Sequence, residues 1–150
     1  MSDMAWVHRW LKRADDDLTT ARHVIEDLHP KLLEVCCYES QQAAEKALKA
    51  YLIFKDYKFP LTHELFKLCD ACAAFDAGFH DYADDCSDLT PYAVHARYPM
   101  NEEMDEPEAQ AALRKAERIV GFCASLIRPA PPAGAPSEQG VPPSENGSEL

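Results

Sequence analysis

The sequence has no long apolar run, no excess of basic residues and no alternating pattern of the kind that predicts β-strands. No apolar stretch approaches the ~20 residues that a helix needs to cross a bilayer, so we expect no membrane-spanning segment and no membrane partner. The first residues, up to Trp6, also lack the basic region followed by an apolar core that is typical of a signal peptide. We therefore expect a cytoplasmic protein.

Basic residues are outnumbered, with 15 Lys and Arg against 26 Asp and Glu and a formal charge of −11. Such a field repels polyphosphates at long range, so the composition argues against general nucleic-acid binding. It still permits a local basic pocket, and an acidic surface equally suits a basic protein partner.

The chain has six cysteines, but their pattern does not predict a zinc site or a set of disulfides. Disulfides are rare in cytosolic proteins. Cys69 and Cys72 have CxxC spacing, but no second CxxC or close pair of histidines completes a tetrahedral site. Both fall within an apolar helical pattern, so we expect them to pack in the core, and we expect no metal and no cofactor.

Helical periodicity is what the sequence does contain, over a length that suits one domain. The pattern predicts helices at about 4–28, 31–55, 62–75 and 106–128, with a weaker one at 79–89. Pro30 separates the first two, because the residue before a proline is pushed out of the helical region. Thr62 is a favourable N-cap for the third helix. In the first helix, Trp6 and Trp10 begin the predicted apolar stripe.

These elements predict an all-α fold, an antiparallel up-and-down bundle of four to five helices over residues 1–128. From Pro129 onward the composition changes to six prolines and three glycines with no aromatic residue. Such a segment cannot bury enough apolar surface to offset the entropy of ordering. We expect a disordered Pro/Gly/Ser-rich tail over 129–150.

The helix at 31–55 is apolar over half of its circumference or more, which is wider than the usual stripe. It should pack on several neighbours, and the breadth of this arc predicts a two-fold homodimer. Its polar face carries Gln42, Glu45, Lys46 and Lys49. The two lysines have two interpretations. They can form solvent-exposed ion pairs along the helix, or they can bind a ligand.

A segment rich in binding side chains lies between the weaker helix and the last one. It carries Tyr92, His95, Arg97 and Tyr98. Arginine offers a fork of donors to phosphate, and histidine can move a proton near neutral pH. Together with the polar face of 31–55, these groups suit a nucleotide phosphate or the cleavage of RNA at a 2′-hydroxyl.

Two further polar residues are candidates, each with a structural alternative. Asp17 falls on the apolar stripe of the first helix, where a carboxylate needs a cation or hydrogen-bond donors. His63 falls in the first turn of the third helix, where a local hydrogen bond at the cap is the structural interpretation.

Four segments resemble one family, the prokaryotic HEPN domains, which are small helical bundles. The second helix carries the run Tyr38-x-x-Gln41-Gln42-Ala43-Ala44-Glu45-Lys46-Ala47-Leu48-Lys49-Ala50. The other three are Ala14-Asp15-Asp16-Asp17-Leu18-x-x-Ala21, Thr62-His63-Glu64-Leu65 and Arg97-Tyr98-Pro99. Their order and spacing match the family from residue 5 to about 127.

The resemblance implies a link to nucleotide handling and to toxin–antitoxin pairs. Ribonuclease members carry an Arg, four to six residues, and then a His, but no histidine follows Arg97. Members with the Arg-Tyr-Pro ending look like binding modules, similar to the partners of small nucleotidyltransferases or to nucleotide-binding domains. The missing motif therefore favours a non-catalytic module that binds a nucleotide, a small nucleotidyltransferase, or both.

Two alternatives stay open from the sequence. One is a metal-independent ribonuclease toxin that uses His95 and Arg97 in an unusual order, and the other is a homodimeric scaffold without a ligand. Outside the ribonuclease alternative we assign no catalytic residue. The residues predicted to bind a ligand or partner are Asp17, Gln42, Glu45, Lys46, Lys49, His63, Tyr92, Arg97 and Tyr98.

Overall fold

The helices of the computed structural model follow the predicted pattern over the residues that it describes, which are 3–59, 61–95 and 103–127. They are α1 (Met4–Glu26), α2 (Leu33–Phe54), α3 (Leu65–Ala73), α4 (Ala83–Leu89), α5 (Tyr92–His95) and α6 (Glu106–Ile127), with a 3-10 helix (Ala77–Tyr82) leading into α4. These ranges contain no β-strand. The all-α prediction is confirmed. There are more helices than the four to five expected, because the segment 77–95 is divided into short pieces.

The start of α1 is fixed by Asp3, whose carboxylate accepts a hydrogen bond from the Trp6 amide at 3.2 Å. The helix ends at Glu26, slightly before the predicted 28. After it, the Leu32 amide donates to the Val24 carbonyl at 3.0 Å, which holds the end of the connection against α1.

The buried face of α1 is offset from the predicted stripe. The buried positions are Val7, Leu11, Ala14, Leu18, Ala21, Val24 and Ile25. Trp6 is 45% exposed and Trp10 is only partly buried. The first turn of α1 therefore presents an aromatic side chain to solvent, which the periodicity had placed in the core.

The helix α2 lies at the centre and packs against α1, α3, α5 and α6. Ala43, Ala47 and Ala50 are completely buried on it, so small side chains occupy the surfaces where other helices approach. The prediction that this helix packs on several neighbours is confirmed. Its broad apolar arc is covered within the chain, so the arc no longer argues for a dimer, which stays a prediction.

The start of α3 differs from the prediction. Its N-cap is Glu64, which makes no capping bond with its side chain. The Thr62 hydroxyl accepts from the Glu64 amide at 3.0 Å, and the Leu65 amide donates to the Thr90 hydroxyl at 3.1 Å. Thr62 as the N-cap is therefore wrong. The acceptor for the first turn comes from a residue 25 positions further along the chain.

All six cysteines are buried with free thiols. Cys69 donates to the Phe79 carbonyl and Cys72 to the Leu48 carbonyl, with sulfur–oxygen distances of 3.3 and 3.7 Å. Burial raises the pKa of Cys36 to about 11, which keeps its thiol protonated. The described ranges contain no group of three or more His, Cys, Asp or Glu that could hold a metal ion.

No helix within the described part of the chain is long and apolar enough to cross a membrane. Arg97, Tyr98 and the segment 129–150 lie outside the described residues. The division into a bundle over 1–128 and a tail stays a prediction.

Candidate functional site

Glu45 is the centre of a hydrogen-bonded cluster on α2. Its side chain is 8% exposed. Its carboxylate accepts from the Gln41 amide group, the Lys49 ammonium and Nδ1 of His63, each at 3.0 Å. Positions 41, 45 and 49 follow each other at four-residue spacing, which places them along one face of the helix. Burial by itself raises the pKa of Glu45, but the bonds from His63, Lys49 and Gln41 outweigh it, so the pKa lies below its ordinary value.

His63 is tied to α2 at two points. Its ring bonds Glu45, and its carbonyl accepts from the Gln41 side chain at 3.3 Å. A local cap bond for His63 is therefore wrong, because its partner lies on another helix, 18 positions earlier. The ring is still 64% exposed. The segment before α3 is thus fastened to the centre of α2.

Lys49 is a buried cation between aromatic rings. Its ammonium lies 5.9 Å from the ring centroid of Trp10 and 5.2 Å from that of Phe59. The whole residue is 8% exposed. The ring faces and the Glu45 carboxylate compensate its charge. A solvated ion pair is therefore the wrong description of this lysine.

Asp17 and Lys46 join α1 to α2. The Lys46 ammonium donates to the Asp17 carboxylate, and both side chains are mostly buried, at 24% and 16% exposed for the lysine and the aspartate. The expectation that Asp17 needs a cation is confirmed. Glu39 lies one heptad before Lys46, next to this pair. Burial raises the pKa of Glu39, and the charge of Asp17 raises it further.

The remaining predicted residues lie in different places. Gln42 donates to the side-chain oxygen of Gln41 at 2.7 Å and so extends the Glu45 cluster. The Tyr92 hydroxyl donates to Glu108 of α6 at 2.7 Å, and burial together with that bond raises the pKa of Tyr92. His95 is the last residue of α5.

A cleft along the N-terminal half of α1, named here the α1 cleft, has a volume of about 680 Å³. Its lining consists of basic and aromatic side chains with one alanine: Ala5, Trp6, His8, Arg9, Trp10, Lys12, Arg13 and Lys46. Lys46 is the one predicted site residue among them. The signal in the sequence is the pair of basic doublets His8-Arg9 and Lys12-Arg13 in an acidic chain. The sequence pattern placed Trp6 and Trp10 in the apolar stripe of the first helix and led to no prediction for these basic residues, so the cleft was missed.

A family model and two solved structures are similar to this chain. The family model described as HEPN domain matches residues 7–126. The crystal structure of TT1696 from Thermus thermophilus is similar, with 24% identity, a TM-score of 0.68, and coverage of 79% of this chain and 96% of that one. The crystal structure of ST0689, an archaeal HEPN homologue, is 26% identical with a TM-score of 0.62, covering 81% and 98%. No protein of curated function matches the sequence.

Proposed function

The chain belongs to the HEPN family, and we propose that it is a non-catalytic member that binds a nucleotide, a small nucleotidyltransferase, or both, within a toxin–antitoxin pair. The non-catalytic proposal is supported mainly by the polar side chains of α2, which are bonded to other groups of the protein. The Glu45 carboxylate already accepts hydrogen bonds from three donors within the protein, and the Lys46 ammonium donates to Asp17. Asp17, Glu45 and Lys46 are therefore engaged in contacts within the bundle, which supports a structural role for them.

Catalysis of RNA cleavage needs a group that can take a proton and another that can give one. The lowered pKa of Glu45 and its three donors make it a poor base. The family motif of ribonuclease members is also missing, since no histidine follows Arg97. Both observations argue against the ribonuclease alternative.

Binding is supported by the charge of the α1 cleft. The chain carries −11 overall, yet four Lys and Arg side chains line this cleft, and two of them, Arg9 and Arg13, form no ion pair with a described residue. A local concentration of cations on an acidic protein favours a small anionic ligand over a long nucleic acid. It therefore supports a nucleotide over RNA.

The experiment uses the full-length purified protein. Isothermal titration calorimetry against ATP, GTP, AMP and CTP measures nucleotide binding, and co-purification with a nucleotidyltransferase encoded beside it tests the protein partner. A labelled single-stranded RNA is incubated with the protein in EDTA, beside a ribonuclease HEPN protein as positive control. We expect binding in at least one assay and no cleavage above background. Metal-independent cleavage that disappears in His95→Ala would overturn the non-catalytic proposal, and no binding in either assay would overturn the binding part.

A further inference from the structure

We infer that the α1 cleft is the ligand site and that it takes a nucleoside phosphate, with the base stacked on Trp6 and the phosphates held by Arg9 and Arg13. The inference rests on the proposed function, because it names the place and the side chains for its nucleotide. It rests on Trp6, Arg9 and Arg13 of α1, and Lys46 is the one residue of the α2 polar face that also lines the cleft.

The first observation is that the two arginines have no carboxylate partner among the described residues. Eight Lys and Arg side chains of the described residues form ion pairs with carboxylates. Arg9 and Arg13 form none with any described residue, although three aspartates follow Arg13 closely. Two of those aspartates are already occupied, Asp16 by Lys12 and Asp17 by Lys46. No described carboxylate thus competes with an external anion for these guanidinium groups, and their planar forks suit phosphate.

The second observation is the spacing along α1. Arg9 and Arg13 are four residues apart and so lie on the same face, one turn from each other. Trp6 precedes Arg9 by three residues on that face. At 1.5 Å per residue, the tryptophan and the second arginine are about 10 Å apart along the axis. Trp6 and Arg13 thus lie at opposite ends of this part of the cleft, with Arg9 between them, so that a base on Trp6 and phosphates on the arginines can be joined by a ribose.

The third observation is how the tryptophan is held. The rings of Trp6 and Trp10 meet edge to face, with centroids 6.1 Å apart and planes at 87°. Trp10 is held in the same way by Phe59, at 6.1 Å and 78°. This chain of rings fixes the Trp6 indole while 45% of the residue stays exposed. A fixed, exposed indole is a good stacking surface for a base.

Size and charge favour a single nucleotide. A volume of about 680 Å³ lies within the range of small-molecule sites. The basic stretch ends at once in Asp15, Asp16 and Asp17, so a polyanion that continued along the helix would meet negative charge. The cleft therefore accommodates one short anion.

The experiment uses the two tryptophans of the chain as probes, because both line the cleft. Intrinsic fluorescence of the full-length protein is followed during titration with ATP, adenosine and pyrophosphate, and affinities are measured in parallel by calorimetry. The test variant is Arg9→Ala/Arg13→Ala. The matched control is Arg114→Ala, an exposed arginine of α6 that has no ion pair with a described residue and does not line the cleft. Circular dichroism checks that each variant is folded.

We expect ATP to quench the fluorescence and to bind more tightly than adenosine or pyrophosphate. The double variant should weaken ATP binding at least tenfold, while Arg114→Ala stays within twofold of the wild type. Trp6→Ala should weaken ATP binding but leave pyrophosphate binding unchanged.

Three outcomes would overturn the inference. If ATP binds the double variant as tightly as the wild type, the nucleotide binds elsewhere, and the proposed function stands without this site. If pyrophosphate binds as tightly as ATP, and Trp6→Ala changes neither, the cleft is a phosphate site without base stacking. If none of the three ligands binds the wild type, the cleft is not a nucleotide site, and the proposed function then depends on the nucleotidyltransferase partner alone.

Discussion

Glu45 on α2 and His63 before α3 are joined by a hydrogen bond of 3.0 Å between a buried carboxylate and a largely exposed ring. The same carboxylate neutralises Lys49, whose ammonium lies between two aromatic rings. Glu45 therefore connects the middle of α2 to the segment before α3 and, through Lys49, to the aromatic cluster of Trp10 in α1 and Phe59 after α2. The α1 cleft is built on that cluster, so the stability of the core and the shape of the cleft are connected through Glu45.

Glu45→Ala should lower the free energy of unfolding by about 3 kcal/mol or more, because it leaves the Lys49 ammonium buried without a carboxylate. Urea denaturation followed by circular dichroism measures the loss. Asp70→Ala, at an exposed position of α3, should change little. Adding Lys49→Met to the first variant removes the orphaned charge and should recover part of the loss. A loss below about 1 kcal/mol, as for an exposed ion pair, would contradict the role assigned to Glu45.

Glu39→Gln should stabilise the protein at neutral pH and have little effect in acid. Burial and the charge of Asp17 raise the pKa of Glu39 above the 4.5 of an ordinary glutamate, while Lys46 opposes this. The folded state therefore favours the protonated form. The resulting stability is fully present below the unfolded pKa and is lost as the pH rises through the folded one. The neutral amide avoids that loss and can still donate to Asp17.

Thermal unfolding of both proteins between pH 4 and pH 8 tests this. The melting temperature of Glu39→Gln should exceed that of the wild type by an amount that grows as the pH rises and vanishes in acid. Glu34→Gln, an exposed position on the same helix, is the control. If the difference in melting temperature were the same at every pH, the pKa of Glu39 would not be raised in the folded protein.

The protein should be a homodimer in solution at micromolar concentration. Large apolar side chains remain exposed on the single chain, among them Leu61 at 97% and Val94 at 57%. Covering such side chains with a second copy of the chain would remove apolar surface from water, which favours association. Light scattering after size-exclusion chromatography should give twice the chain mass of 16.8 kDa. A monomeric mass over the whole concentration range would contradict the prediction.

The long helices were predictable from the sequence, because apolar periodicity and the position of Pro30 are local signals. The need of Asp17 for a cation was also predictable, since it follows from burial alone. Its partner Lys46 was not, because the match depends on how α1 and α2 are aligned. The same limit explains two local predictions that were wrong. Thr90, not Thr62, accepts from the first turn of α3, and His63 bonds Glu45 instead of a group at the cap.

The α1 cleft was missed for a related reason. The stripe that began at Trp6 is rotated in the folded protein, so that Val7 and Leu11 are buried and Trp6 is exposed. A small rotation of a helix about its axis leaves the periodicity unchanged but decides which edge of the stripe reaches solvent. That rotation is set by contacts between α1 and the other helices, which the periodicity of α1 alone does not contain.

The two glycines that the structure describes should respond to alanine in opposite directions. A Cβ at Gly78 would lie 2.8 Å from the Cζ atom of Phe122. That ring cannot move away easily, because it stacks on Tyr82 and meets Phe79 edge to face, with centroids 4.8 Å away in both pairs. Gly121 lies within α6, and a Cβ there would meet no atom within 4 Å.

Gly78→Ala should therefore destabilise the protein by about 1–3 kcal/mol, as overpacking of a core usually does. Gly121→Ala should stabilise it by about 0.5–1 kcal/mol, because alanine loses less conformational entropy than glycine in a helix. Urea denaturation of the two variants beside the wild type measures both changes. If both variants moved in the same direction, the packing of Phe122 against the 3-10 helix would not be as described.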